Sequence, residues 1–252
     1  MPRRIFLANV GSNASHRFCS PVFSDGTFEF MPIPEDQTLS EEHAITFKDL
    51  RSFYNPTLRL TDYIPQRFWS WTAHNDPEFR TFTYGDNCEI NSRASSLKSM
   101  SKGDFLFFIA RLQGWENNIP TNEFGFYLIG FLEIEEILKE VIEHPDNAIL
   151  KQFKENAHIR RGLSDPNLWD RFWVFKGSKR SRRFYTALKV DRVMTQNIFR
   201  SADGTPWSWD HGRTDLQVIG SYTRSCRCVI DPEKSKDALR ASIFWSYINK
   251  HS

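Results

Sequence analysis

Two apolar runs, Phe105-Leu-Phe-Phe-Ile-Ala110 and Phe124-Gly-Phe-Tyr-Leu-Ile-Gly-Phe-Leu-Glu-Ile134, constrain this chain more than any other feature. Each is far short of a membrane span and each is bounded by turn residues, the pattern of a buried strand. Gly103-Asp104 opens the first as a turn, and the polar segment 113–122 around Trp115 reads as the loop between them. Glu135 to Ile142 reads as a charged amphipathic helix stopped by His144-Pro145, and a further helix is expected over 146–155. Residues 173–178 read as strand and turn, and 181–190 as another strand.

The flanks are less regular. Residues 3–10 read as a buried first strand ending in the turn Gly11-Ser-Asn-Ala-Ser15. Ser24-Asp25-Gly26 is a tight turn, followed by an extended segment stopped by Pro32 and Pro34. Thr46 to Tyr54 and Ser92 to Met100 read as short helices, 156–161 as a polar junction, and Leu216 to Tyr222 as extended. The segment 74–86 has no clean period and is expected to be a surface loop carrying function. Pro232 to Lys250 reads as a closing helix with Leu239, Ile243, Tyr247 and Trp245 inward. With no repeat and no low-complexity linker, 1–252 is expected to form one compact α+β domain, a length that one core can still serve.

Composition excludes little. Net charge is +2, which argues for no polyanion partner by itself, so the distribution of charge decides. Basic residues dominate 176–192, whereas acidic ones are frequent in 35–49 and 133–146. The 22 Phe and 8 Trp supply core, or platforms on which bases stack. Of the four cysteines only Cys226 and Cys228 are close, and C-x-C without a second pair is a poor zinc half-site, so reduced thiols and no metal are expected. The first residues lack a long apolar stretch. A cytoplasmic protein without membrane attachment is the expectation.

The order Gly-Asp, strand, loop, strand resembles the PUA-like superfamily of PUA, ASCH, EVE and YTH domains, on Gly103-Asp104-Phe105-Leu106-Phe107-Phe108 and Tyr127-Leu128-Ile129-Gly130-Phe131-Leu132-Glu133-Ile134. That resemblance covers roughly 100–190. It implies a mixed β-barrel with flanking helices, completed here by an N-terminal elaboration (1–90) and the helix at 232–250, and a pocket for a base in RNA or DNA. Asn9-Val-Gly-Ser-Asn13, Ser20-Pro-Val-Phe-Ser-Asp25-Gly-Thr-Phe-Glu29-Phe-Met-Pro-Ile-Pro-Glu35, Asp76-Pro-Glu-Phe79 and Thr83-Tyr-Gly-Asp86 resemble a second family, the prokaryotic and phage nucleotide modification-associated domain of the third type. This second resemblance spans most of the chain and implies base modification in DNA or RNA, or its recognition.

Candidate residues follow. Trp115 can stack on a base face, and Asn9, Asn13, Tyr84 and Asp86 offer groups that read base edges. Lys176, Lys179, Arg180, Arg182 and Arg183, extended by Arg160 and Arg161, suit phosphate contact. If the protein is an enzyme, Asp76, Glu78 or Asp25 would be its catalytic carboxylate, since base-altering chemistry needs one held near a flipped base. There is no G-x-G-x-x-G, no Walker lysine, no G-x-S-x-G and no deaminase zinc motif, so no cofactor is expected. Two readings stay open: a module that recognises a modified nucleobase, and an enzyme that modifies or excises one. A nucleotide enzyme with no polymer partner is a third. If Trp115, Asp76, Asn13 and the basic run do not line one pocket, the first two weaken together. Oligomeric state is not set by the sequence.

Overall fold

The computed structural model describes residues 3–201, 204–234 and 237–251. In chain order the strands are β1 (Ile5–Val10), β2 (Ser20–Phe23), β3 (Ile33–Pro34), β4 (Ala73–His74), β5 (Thr83–Asp86), β6 (Phe105–Glu116), β7 (Ile119–Val141), β8 (Phe172–Gly177), β9 (Arg182–Val190) and β10 (Arg227–Ile230). The helices are α1 (Asn147–Phe153), α2 (Ala157–Ser164), α3 (Arg192–Asn197), α4 (Asp215–Tyr222) and α5 (Asp237–His251). The fold is α+β, built on one mixed sheet of order β10-β1-β6-β7-β8-β5, with β2 beside β6, β9 beside β7, and β3–β4 a separate pair.

The centre is as the apolar runs dictate. β1 runs parallel to β6, with Ile5 opposite Phe105, and β6 runs antiparallel to β7, with Phe107 opposite Phe131. Both faces are covered, which is why the strands read as continuous rather than alternating. Ile5, Leu7, Phe105, Phe107 and Ile109 pack with α4 and α5 through Ile219, Phe244 and Ile248. Phe6, Ala8, Leu106, Phe108 and Ala110 face Phe28, Tyr84, Trp173 and Phe175. A third cluster (Phe18, Met31, Phe47, Leu60, Ile64, Phe68) holds the N-terminal elaboration, and Phe153, Ile159, Phe172 and Val174 seat α1 and α2.

β7 is shared. Its first half pairs with β6 and β9 and its second half with β8, with register shifts at Ile134/Glu136 and Leu138/Val141. Such irregularities bend a strand, and the sheet folds over the Phe108–Phe175 core. It does not close: β10 and β5 end the order, and no ladder joins them among the described residues. The barrel expectation is therefore corrected to an open, curled sheet. The seam is strapped at one point, where the Cys226 N–H donates to Arg93 O (2.8 Å) and the Ser96 hydroxyl donates to Cys226 O (2.5 Å).

Several local expectations are corrected. Residues 135–141 form strand, not helix, because β8 takes up their backbone groups and Ile137, Leu138 and Val141 find cover, and tertiary pairing overrides the helix propensity of Glu, Lys and Leu. The loop around Trp115 is the end of a hairpin, turned by Asn117 and Asn118 at φ 49° and 63°, the residues and angles of a two-residue turn. Residues 157–164 are helical, with Asn156 capping the His158 N–H. Residues 215–222 are helical, not extended, behind the capping box of Thr214 and Gln217. The expected helices at 46–54 and 92–100 shrink to 3₁₀ turns at Phe47–Asp49 and Ser95–Ser99. The segment 74–86 contributes β5 and is largely buried, with Asp76, Glu78 and Tyr84 only 6%, 3% and 6% exposed. All four cysteines are free thiols. No helix among the described residues is long and apolar enough to cross a membrane.

The closing helix is turned from its expected register. Leu239 and Ile243 face solvent, whereas Phe244 and Ile248 are fully buried. Phe244→Ala is thus expected to cost about 3–5 kcal/mol in urea unfolding, and Leu239→Ala to stay within about 0.5 kcal/mol. The reverse order would place the helix in the wrong register.

Candidate functional site

The unclosed seam holds a cavity of about 780 Å³. Its walls come from sequence-distant places: the end of β1 (Asn9 to Gly11, with Asn13 and His16), the segment from His74 to Asp86, His158 on α2, and α4 with Thr223, Arg224 and Cys226. Along β1, Ile5 and Leu7 are buried against helices, and Asn9 on the same side is left exposed where α4 ends. The Asn9 amide donates to the Thr223 hydroxyl at 3.0 Å, fixing its plane. Gly11 at φ +81° makes the turn that brings Asn13 to the rim, and the Asn13 side-chain oxygen accepts from the Ser15 N–H at 3.0 Å.

The opposite wall is built around a buried carboxyl. Asp76 Oδ2 accepts the Gly85 N–H at 2.7 Å, and the Asn156 amide approaches it at 3.4 Å. Asp76 Oδ1 is buried without a hydrogen-bond partner among the described residues. Burial, with the charges of Asp86 and Glu78 nearby, pushes the Asp76 pKa well above the usual carboxylate range, against the Gly85 amide that favours the charged form. His158 Nε2 stands 3.9 Å from Asp76 Oδ2, and the rings of His74 and His158 meet edge to face with centroids 4.9 Å apart. Burial and the neighbouring His74 and Arg161 hold His158 well below the usual histidine pKa, so its ring is neutral. Gly85 is required here: a Cβ on it would stand 2.4 Å from His158 Cδ2.

His74 is fixed from behind. Its Nδ1 lies 2.7 Å from Glu35 Oε2, and Arg161 reaches Glu35 Oε1 at 3.0 Å. Burial opposes the Glu35 charge, but the hydrogen bond from His74 and the nearby Arg161 guanidinium outweigh it and bring its pKa down to about 2. An ionised carboxylate only accepts, so His74 Nδ1 carries the proton and donates. Tyr84 donates its hydroxyl to Asp86 Oδ2 at 2.9 Å, and Asp86 also accepts from the Asn87 N–H and the Asn91 amide. Burial nonetheless raises the Asp86 pKa. Three guanidinium groups, Arg93, Arg111 and Arg224, line the same cavity, and none of them is in an ion pair among the described residues.

Of the sequence candidates, Asn9, Asn13, Asp76, Tyr84 and Asp86 share this cavity. Asp25 and Glu78 lie elsewhere. Asp25 is exposed and accepts from the Thr27 N–H and hydroxyl at 2.9 and 2.6 Å, and those bonds lower its pKa. Glu78 accepts the Arg80 and Thr81 N–H groups at 2.7 Å each, and the Thr81 hydroxyl. Trp115 sits at the hairpin end against Tyr63, ring centroids 5.0 Å apart. The basic run is also away from the cavity and largely engaged. Lys176 donates to Gln152, Arg180 forks onto Glu133, and Arg182 lies over Phe131 and Phe184. Arg183 is buried between Phe28 and Phe53, 3.5 Å from Glu29, while Lys179 is exposed. Arg160 pairs with Glu155, and Arg161 with Glu35 and Asp36.

Sequence reasoning did not pair His74 with His158, and it missed Gln217, Thr223 and the three cavity arginines. One usable signal existed, the Thr214-x-x-Gln217 capping box, which announces a helix at 215 and hence a wall at its far end. His74 and His158 stand 84 positions apart and carried none.

A family model described as nucleotide modification associated domain 3 matches residues 4–221. Neither the curated proteins nor the solved structures contain a significant match to the chain.

The bonding of Glu78 gives a direct expectation. Glu78→Ala leaves two backbone donors without their acceptor and should cost about 1–3 kcal/mol in denaturant unfolding.

Proposed function

Because the chain belongs to the nucleotide modification associated domain 3 family, we propose that it recognises a modified nucleobase of DNA or RNA in the seam cavity. The family ties the chain to modification of nucleic-acid bases; the reading beyond that rests on one observation. Asn9, Asn13, Tyr84 and Asp86, drawn from both ends of the N-terminal third, meet in a single cavity rimmed by three arginines without counter-ions among the described residues. A volume of about 780 Å³ suits a nucleotide-sized ligand. Asn amides and a carboxyl supply donors and acceptors for base edges, and guanidinium groups at the mouth supply phosphate contacts. Arg93, Arg111 and Arg224 take the role that the 176–183 run was expected to fill. The base enters flipped out of its stack, since the cavity walls reach it only as a single extruded ring.

A second reading is favoured by Asp76. A buried carboxyl with an unpartnered oxygen, its pKa raised, beside a neutral imidazole, is the equipment of a general acid or base. In that reading the same cavity alters or excises the base.

Binding is measured with single-stranded and duplex DNA and RNA carrying modified or plain bases, across a salt series. Alanine at Arg93, Arg111 and Arg224 together is expected to weaken binding and to flatten the slope of log K against log salt by roughly 0.7–0.9 for each phosphate no longer neutralised. Asn9→Ala is expected to cost about 1–3 kcal/mol and to narrow the preference for the modified base. If the triple variant binds every nucleic acid as the unaltered protein does, the reading fails. Asp76→Asn separates the two readings: mass spectrometry of the nucleosides shows base conversion by the unaltered protein but not the variant if Asp76 is catalytic, and no conversion by either if the protein only recognises.

A further inference from the structure

We propose that His74, Asp76 and His158 form a binding site for one divalent first-row transition-metal ion in the wall of the cavity. One ligand atom from each lies within 4.8 Å of the other two. Ligands about 2.0–2.2 Å from an ion stand roughly 3–3.5 Å apart, so closure by up to roughly 1.5–2 Å, within the reach of side-chain rotation, completes the set. Two observations besides proximity point to a cation. Asp76 Oδ1 and His158 Nδ1 are buried without partners among the described residues, in side chains only 2% and 8% exposed. Unpaired buried polar atoms of this kind are costly and call for a ligand. The second observation is the Glu35 carboxylate behind His74. It accepts a hydrogen bond from the protonated Nδ1 and leaves the Nε2 lone pair for the metal, the outer-sphere arrangement that orients metal-binding histidines. Arg161 in turn holds Glu35.

The donor set selects the ion. Two imidazoles and one carboxylate suit zinc or ferrous iron and exclude magnesium, which takes oxygen ligands. Three protein ligands leave coordination positions open, and all three residues line the cavity, so the open positions face its interior. The site stands independently of whether a nucleobase enters. Cys226 and His16 also line the cavity; burial pushes the Cys226 thiol up above the usual range, and it is the soft donor to test beside the three.

Metal-stripped protein is titrated with zinc, cobalt(II), anaerobic ferrous iron and magnesium, following heat release, the thermal unfolding midpoint and cobalt ligand-field absorption. One equivalent of zinc or cobalt should bind and raise the midpoint, and magnesium should not. His74→Gln and Asp76→Asn should abolish that binding, Glu35→Gln should weaken it by about 10–100-fold, and Cys226→Ser should leave it intact. Absence of any metal-dependent midpoint shift in the unaltered protein overturns the proposal. So does binding that survives His74→Gln, or that disappears in Cys226→Ser. His74 lies at the cavity surface rather than in an apolar cluster, so its variant keeps the test decisive even if Asp76→Asn unfolds.

Discussion

The double use of β7 is the constraint from which the rest of the structure follows. A strand of 23 residues cannot stay flat while it changes partners along its length; its first half belongs with β6 and β9 and its second with β8. The register shifts between these halves turn the sheet around the Phe108–Phe175 core. Eight strands curled in this way fall short of closure, and the two ends, β10 and β5, stand apart. An open edge normally invites pairing with another chain. Here the gap is strapped through Cys226, Arg93 and Ser96, and the space that remains is the cavity. The failure to close is what gives this fold a site.

The second dependency is electrostatic. Arg161 holds Glu35, Glu35 holds His74, His74 packs on His158, and His158 abuts Asp76, which is held by the Gly85 amide. These groups come from β4, β5, α2 and the extended segment after β3, so this chain of interactions pins four pieces of backbone together around one wall. Buried charge contributes little net stability even when paired. A fold that carries such a chain with three buried atoms unpartnered among the described residues gains specificity of placement there rather than stability.

What was legible in the sequence follows from the range of the interactions concerned. β1, β6, the central part of β7, β8 and β9 could be read because apolar continuity is a local signal. The segment 135–141 could not: its composition is helical, and only pairing with β8, more than thirty residues later, makes it strand. The same holds at α5, where Leu239 and Ile243 offered as good a stripe as Phe244 and Ile248 until the Phe105–Phe107 surface chose between them. At the site, Asn9, Asn13, Asp76, Tyr84 and Asp86 stood out because they lie in polar, period-free stretches next to strands. His74 and His158 become a pair only through the packing of α2 against β5.

The arginines show why local charge density misleads. The run 176–183 is the most basic stretch of the chain, yet Arg180 is neutralised by Glu133, Arg183 is buried against Phe53 and Glu29, and Arg182 lies on aromatic faces. A cation spent on an internal partner projects little field outward. Arg93, Arg111 and Arg224 are scattered in sequence and unremarkable in composition, but they surround a concave, partly desolvated space with no ion-pair partners among the described residues. In such a space field lines are focused rather than screened, so Arg93 and Arg224, and Arg111 although it lies over Phe124, project more field into the cavity than cations neutralised by internal carboxylates on a convex face.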